Sequence, residues 1–276
     1  MMMRTSLDRI ADRTADALEA FNKRVDPSGG ARTDPALQNE VDALLRPPLA
    51  RDFARVKREY DQNDEYVFVE DGLPAELIAR IRREVVLSHA TRSVVPWQRA
   101  AGSVGYRRIQ RDAPFTAALY RSPVLREYVS ALSGKPIHCR PDHDDHACTF
   151  YVYSKPGDRM AYHRDVCGCE DGASYSLIIG VINDSTQKLL VKRRRQTLRL
   201  STPPGTLVTF SGSKLLHGVS RLGRSELRVV VGLAYITNDR QPPTRRLVKV
   251  MADTFSNFGV GGLVNRVRAR ARSAAP

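Results

Sequence analysis

The segment MAYHRDVCGCED, residues 160–171, places His163 and Asp165 two residues apart, and Cys167 and Cys169 continue the same spacing. Side chains alternate between the two faces of a β-strand. A His-x-Asp pair on a strand therefore presents an imidazole and a carboxylate on one face, close enough to bind a single ion. In isolation such a pair is more often a hydrogen-bonded surface pair, so a metal site needs support from elsewhere in the chain.

That support comes from His217, the strongest candidate for a third ligand, which lies 54 residues after His163. Two histidines and one carboxylate on one face of an octahedron form the facial triad of non-haem Fe(II) oxygenases and leave the other positions open. Cys167 and Cys169 are interpreted as small apolar residues, because thiolates beside an oxygen-activating iron would be oxidised.

The chain around these residues is predicted to be mostly β-structure. Short stretches punctuated by Gly, Pro, Asn and Asp predict strands at 146–153, 159–166, 174–182, 187–192, 196–201, 206–210, 215–221 and 226–236. Helical periodicity and caps predict helices at 5–24, 36–46, 48–60, 74–88 and 113–134, with a short strand at 65–70. Eight short strands of this kind indicate an all-β barrel or double-sheet roll.

Residues 146 to 238 resemble the barrel of Fe(II)/2-oxoglutarate-dependent dioxygenases. The resemblance rests on four segments in order: YSKPGDRMAYHRD, IND, PGTLVTFSG and LLHGVSRL. It implies a mainly β fold with flanking helices around a double-stranded β-helix core, which is a jelly-roll or cupin-like barrel. It also implies Fe(II), 2-oxoglutarate and O2 as cofactors, with His163, Asp165 and His217 as the catalytic metal ligands.

The resemblance further implies a basic residue that grips the distal carboxylate of 2-oxoglutarate, a task that suits the planar fork of arginine. Arg228, eleven residues after His217, is the best match, and Arg224 is the second choice. Val230 stands where the family often has a small hydroxyl residue, and Arg228 has the alternative of pairing with Glu226. Further candidate contacts to the cosubstrate are the hydroxyl groups of Tyr153 and Thr149.

The predicted organisation has three parts. Residues 1–60 are interpreted as a helical appendage, residues 61–245 as the double-stranded β-helix oxygenase domain with its helical supports, and residues 246–276 as a basic helical tail. The sequence leaves the roles of the first and last parts open.

By the same resemblance, the predicted activity is hydroxylation of an unactivated C–H bond with release of succinate and CO2. Related halogenases carry Gly or Ala at the position of Asp165, which frees a site for chloride. The carboxylate here favours hydroxylation, or desaturation or ring closure, over halogenation.

The predicted substrate is a small polar molecule, in particular an amino acid or related metabolite. SPVLREYVSALSG and the segment after it resemble the branch that contains free amino-acid hydroxylases and halogenases. Asp144, Asp145 and His146 are candidates to hold a substrate ammonium, with a solvated loop or a supporting role as the alternative. Further candidate substrate residues are Arg107 and Arg108, for a carboxylate or phosphate, and Asn238 after the last strand.

Charge and composition bound the other possibilities. Lys and Arg exceed Asp and Glu by 14 and the pI is about 10.0, which suits an anionic partner. A nucleic-acid demethylase is disfavoured because the paired arginines and stacking aromatics of that class are not seen, whereas a protein hydroxylase stays open. A binding module without activity would show a damaged triad. No apolar run suits a membrane span or signal peptide, so a reduced, cytoplasmic protein is predicted, with its oligomeric state open.

Overall fold

The computed structural model describes residues 6–25, 34–95, 97–167, 169–170, 173–193, 196–238 and 240–251. The helices are α1 (Ser6–Val25), α2 (Pro35–Ala50), α3 (Phe53–Gln62), α4 (Ala75–Arg83), α5 (Tyr106–Asp112), α6 (Pro114–Arg121) and α7 (Pro123–Ser133), with a short 3-10 helix over Leu87–His89. Residues 243–251 are also helical.

The strands alternate with these helices at first and then follow one another. They are β1 (Tyr66–Val69), β2 (Thr91–Val95), β3 (Arg99–Val104), β4 (His138–Cys139), β5 (Cys148–Tyr153), β6 (Arg159–His163), β7 (Ser174–Asp184), β8 (Leu189–Arg193), β9 (Gln196–Leu200), β10 (Leu207–Ser211), β11 (Leu216–Val219) and β12 (Leu227–Ile236). The eight strands predicted after residue 146 are all present, with ends shifted by at most three residues.

The strands form one curled sheet in which every described pairing is antiparallel, in the order β1-β10-β7-β12-β5-β3-β6-β11-β8-β9. β2 adds to β3 and β4 adds to β12 outside this path. The sheet brings β6 and β11, which are far apart in the chain, side by side. This pairing positions the candidate metal ligands.

Two helix predictions differ from the structure because local signals and packing compete. A break was predicted at Pro47 and Pro48, but α2 continues through both, since buried Leu45 and Leu49 hold its last turns against the core. The chain breaks later, at Asp52, whose φ of 54° is left-handed.

The single helix predicted over 113–134 is two helices, α6 and α7. Ser122 ends the first and caps the second, because its hydroxyl accepts a hydrogen bond from the Leu125 amide at 3.3 Å. Gly134, with φ of 67°, ends α7 in the left-handed conformation predicted for a glycine cap.

The hairpin of β2 and β3 and the helix α5 were not predicted. β3, with the sequence RAAGSV, is buried along its whole length. Its small residues give no apolar alternation, and they suit a strand enclosed between neighbours rather than one with a solvent face.

The helices α2 and α3 share the main hydrophobic core with the sheet. Val41, Leu45 and Tyr60 lie in the same buried cluster as Leu177 of β7 and Val231 of β12. Although the boundary predicted at residue 60 stays a prediction, these two helices cover one face of the barrel sheet.

Two remaining features concern the ends of the chain and its helices. Within the described ranges, no helix combines the length and the apolar character needed to cross a membrane. Most of the predicted basic tail lies outside the described residues, including the segments FSNFGVGGLV and VNRVRARARSAAP.

Candidate metal and cosubstrate site

His163 and His217 face each other across two paired strands. His163 is the last residue of β6, and the antiparallel register of β6 and β11 makes His217 its direct partner. Their ring centroids lie 4.3 Å apart, and the rings of Phe210 and His217 pack in a T-shaped arrangement with centroids 4.7 Å apart. The pairing of β6 and β11 thus explains why two histidines 54 residues apart in the chain have their rings in contact.

Asp165 lies beyond the end of β6, which corrects the prediction that the His-x-Asp pair shares a strand. Its amide donates to the Gly212 carbonyl at 2.9 Å, and its Oδ2 accepts a hydrogen bond from the Ser176 hydroxyl at 2.5 Å. A Cβ on Gly212 would lie 2.5 Å from Oδ2, so this position needs glycine. A loop held to β7 and β10, rather than strand alternation, aims the carboxylate.

The three side chains present a set of atoms that suits one metal ion. Asp165 Oδ1 lies 3.6 Å from Nε2 of His163 and 3.7 Å from Nε2 of His217. Each histidine turns its Nδ1 toward a backbone carbonyl, of Ala161 at 3.0 Å and of Leu215 at 3.2 Å. A carbonyl only accepts, so Nδ1 carries the hydrogen and the Nε2 lone pair is left for a metal.

The ligand atoms of His163, Asp165 and His217 all lie within 4.8 Å of one another. This group does not include Cys167 or Cys169. The structure joins these two by a disulfide with Cα atoms 5.3 Å apart, in contrast to the predicted reduced thiols.

Electrostatics keep the carboxylate ionised. Burial alone would raise the pKa of Asp165, but His217, His163 and the Ser176 hydroxyl together hold it well below its usual range. Burial lowers the pKa of His217. For His163 burial also acts to lower the pKa, but the Asp165 carboxylate and the Ala161 carbonyl together outweigh it, and the pKa is raised. A neutral imidazole, a neighbouring imidazole and a carboxylate are the donor set that Fe(II) binds in facial triads.

Replacing Ser176 by alanine should weaken divalent metal binding by about 10- to 100-fold, because the Asp165 carboxylate loses the hydrogen bond that orients it. A Co(II) titration followed by visible absorption measures this. The matched control is Ser174→Ala on the same strand, because Ser174 is buried but does not line the cavity at the triad. Equal metal affinities of the two variants would contradict the orienting role.

The triad opens into a cavity of about 180 Å³ inside the curled sheet. Arg228 lines the same cavity and is only 1% exposed. Its Nε donates to the Thr202 hydroxyl at 3.0 Å, its guanidinium lies 5.2 Å from the centre of the Tyr153 ring, and its Nη2 is buried without a hydrogen-bond partner. A buried cationic nitrogen without a partner is the feature that an anionic ligand would complete.

Arg228 owes its position to a close approach between two segments. Gly180 of β7 faces the backbone of the loop after β9, where a Cβ would lie 2.1 Å from the Pro203 carbonyl oxygen. This approach brings Thr202 beside Arg228. Neither Thr202 nor Gly180 carries a signal of its own in the sequence.

Of the other predicted cosubstrate residues, Tyr153 lies in the cavity and Arg224 and Thr149 lie outside it. Arg224 is exposed and does not line the cavity. Tyr153 and Val230 line it, whereas Thr149 does not, and its hydroxyl donates to the Asp145 carbonyl at 2.8 Å. Burial raises the pKa of Tyr153, so its phenol stays protonated beside Arg228.

Most of the predicted substrate residues are engaged in the scaffold. Arg107 and Asp145 form a buried two-bond ion pair. Asp144 is buried between Lys249 at 2.7 Å and Arg140 at 3.3 Å. Neither aspartate lines the cavity, so the structure does not place them where a substrate ammonium would bind.

The other three differ from one another. Arg108 donates to the His89 carbonyl at 2.8 Å, and Asn238 is half-buried; neither lines the cavity. His146 does line it, and its amide donates to Asp144 at 3.0 Å. Of the six residues, only His146 is brought into the same cavity as the triad.

Replacing Asp145 by alanine should lower the free energy of unfolding by about 3 to 5 kcal/mol, because the buried charge of Arg107 would lose the carboxylate that forms two hydrogen bonds with it. Urea denaturation measures it. The control Asp61→Ala breaks the exposed pair with Lys57 in α3, for which we expect a loss of about 0.5 kcal/mol or less. A small effect at Asp145 would show that this ion pair is dispensable for the fold.

No family model matches the chain, and no curated protein is significantly similar to it. A prolyl hydroxylase from Trichoplax adhaerens, solved with a hypoxia inducible factor peptide fragment, is similar in structure, with a TM-score of 0.56 and 14% identity over 74% of this chain and 94% of that chain.

Two further solved structures have similar scores. An oxidoreductase of the 2OG-Fe(II) oxygenase family from Burkholderia pseudomallei has a TM-score of 0.54 and 12% identity, covering 69% of this chain and 93% of that one. The epimerase SnoN, solved with Fe3+, alpha ketoglutarate and nogalamycin RO, has a TM-score of 0.53 and 13% identity, covering 67% and 83%.

At such identities, the likeness shows the fold. The curled antiparallel sheet with flanking helices is the double-stranded β-helix of 2-oxoglutarate oxygenases, which confirms the predicted fold class.

Proposed function

We propose that this protein is an Fe(II)- and 2-oxoglutarate-dependent oxygenase. The observation that carries the proposal is the convergence, in one cavity, of a two-histidine, one-carboxylate cluster and a buried arginine with a partnerless nitrogen. Each feature alone has a structural explanation. Together they match what a metal and a dicarboxylate cosubstrate require.

In this proposal His163, Asp165 and His217 hold the iron. Asp165 would offer Oδ1, which lies near Nε2 of both histidines, while Oδ2 accepts the hydrogen bond from Ser176. Arg228 binds the distal carboxylate of 2-oxoglutarate, with Thr202 fixing the guanidinium plane and Tyr153 packing against it. When bound, iron and cosubstrate would supply the oxidation of an unactivated C–H bond, with O2 consumed and succinate and CO2 released.

The residues of this chain supply geometry and an enclosed environment. Apolar side chains, among them Phe210, Val219 and Leu189, line the cavity together with the triad and would limit the access of water to it. Because Asp165 occupies the position that must be vacant for halide binding, hydroxylation is the favoured outcome, with desaturation or ring closure by the same oxidation as its variants.

The proposed substrate is a small polar metabolite, which suits a cavity of about 180 Å³. The alternative is a macromolecule, for which the net charge of +14 is the supporting observation. A protein or nucleic acid would have to present a single group to the cavity.

The experiment is an anaerobic addition of Fe(II) and 2-oxoglutarate to the purified protein. We expect a weak visible charge-transfer band that requires both components. Admission of O2 with a panel of small metabolites should then release succinate above the background rate. Absence of the band at saturating iron and cosubstrate would refute the proposal, and steeply salt-dependent stimulation by nucleic acid alone would favour the macromolecular alternative.

A further inference from the structure

The walls of the cavity are strongly unbalanced in charge. Among the described residues that line it, the basic ones are Arg99, Arg140, Arg164 and Arg228, and Asp165 is the only acid. Clefts lined by one sign of charge focus the field and concentrate ligands of the opposite sign. The ligand of this cavity is therefore expected to be anionic.

The four arginines have different roles. Arg140 is paired with Asp144, and Arg228 is assigned to the cosubstrate by the proposed function. Arg99 and Arg164 are the guanidinium groups that the proposed cosubstrate does not use.

Arg99 lies close to the triad. It begins β3, and its register partner is Met160 on β6, the strand that ends at His163. The residue is only 4% exposed, and its guanidinium carbon lies 5.3 Å from the centre of the Tyr151 ring. Burying positive charge is unfavourable, and a bound anion recovers part of that cost.

Arg164 lies at the entrance. It is exposed, lines the cavity, and lies between His163 and Asp165 in the sequence. Its Nε donates to the Lys214 carbonyl at 3.0 Å. An exposed cation at the mouth attracts an anion without holding it, because solvent screens the interaction.

We propose that the substrate of this site carries a carboxylate, sulfate or phosphate group, that Arg99 binds this group beside the iron, and that Arg164 steers it inward. This inference rests on the proposed function and narrows its substrate to small anions. It replaces the expected recognition of an ammonium by Asp144 and Asp145, both of which form ion pairs with basic residues and do not line the cavity.

The test is isothermal titration calorimetry of the Zn(II)-loaded full chain with sodium sulfate and, separately, sodium acetate, at constant ionic strength and with and without saturating 2-oxoglutarate. We expect saturable binding of at least one anion to the cosubstrate-loaded protein. Stronger sulfate binding would indicate a sulfate or phosphate ester, and stronger acetate binding a carboxylate.

Arg99→Gln should weaken this anion binding by about thirtyfold or more, as expected when one partner of a buried charge pair is removed. Arg99→Lys, which keeps the charge but not the fork, should lie between it and the wild type. The affinity for 2-oxoglutarate should stay within about threefold of the wild type in both variants, a change of less than 1 kcal/mol. Arg224→Gln is the matched control, because Arg224 is exposed and lies off the cavity.

Three outcomes would overturn the inference: no saturable anion binding, equal binding by wild type and Arg99→Gln, or a loss of 2-oxoglutarate affinity in Arg99→Gln as large as that in Arg228→Gln. The last would assign Arg99 to the cosubstrate. Failure of the proposed function would give a different result: the wild type would not bind 2-oxoglutarate. The sulfate titration without cosubstrate would still show whether Arg99 binds an anion.

Discussion

Asp165→Gly is expected to abolish 2-oxoglutarate turnover and to weaken divalent metal binding by at least about 100-fold. Removing residues that only orient a ligand costs about 10- to 100-fold in metal affinity, so loss of the charged ligand itself should cost more. The variant removes only side-chain contacts of residue 165. The backbone hydrogen bond from its amide to the Gly212 carbonyl, at 2.9 Å, remains. The fold should therefore survive.

Metal binding is measured by Co(II) titration and turnover by succinate release. Asp184→Gly is the control, since Asp184 is exposed at the end of β7 and lies off the cavity. If Asp165→Gly bound Co(II) as tightly as the control, the carboxylate would not be a metal ligand and the triad would have to be reassigned.

The barrel was predictable because its strands carry local signals. Apolar runs such as LVTF and RVVVGLAYI, with Gly and polar residues between them, predict strands, and the two runs are found in β10 and β12. The helix breaks at Ser122 and Asp52 were less predictable, because tertiary packing decides whether a proline ends a helix or is carried through it.

The convergence of His163 and His217 was expected from the order of the motifs, and the register of β6 and β11 supplies its physical cause. The residues that support the site were not predictable. Ser176, Gly212 and Thr202 act through contacts between segments distant in the chain, and a serine, a glycine or a threonine is too common to indicate such a contact.

The substrate predictions depended on charge in the sequence without knowledge of pairing. DHDDH reads as an acidic cluster, yet Asp144 and Asp145 are neutralised by Lys249, Arg140 and Arg107. Arg99, by contrast, lies in the unremarkable segment QRAAGSV, and only the fold places it in the cavity. The charges that line a site are decided by the fold, and the order of charges along the sequence does not show them.

Arg228→Gln is expected to weaken 2-oxoglutarate binding by about thirtyfold or more and to leave metal affinity unchanged. The guanidinium is buried, and truncating one partner of a buried charge-assisted pair costs about 2 to 5 kcal/mol. Glutamine keeps a hydrogen-bond donor but loses the charge and the two parallel bonds of the fork. Metal affinity should persist, because the hydrogen bonds of Arg228 go to Thr202 and Gln187 and not to the triad.

The cosubstrate affinity is read from the charge-transfer band in an anaerobic titration, and metal affinity from Co(II) binding in its absence. Arg224→Gln is the control that distinguishes between the two arginines predicted from the sequence. It removes the same charge from an exposed position and should change neither the cosubstrate affinity nor the metal affinity. A larger loss in Arg224→Gln than in Arg228→Gln would move the cosubstrate contact out of the cavity. An equal, small loss in both would show that the partnerless nitrogen of Arg228 serves the packing against Tyr153 and not the binding of a carboxylate.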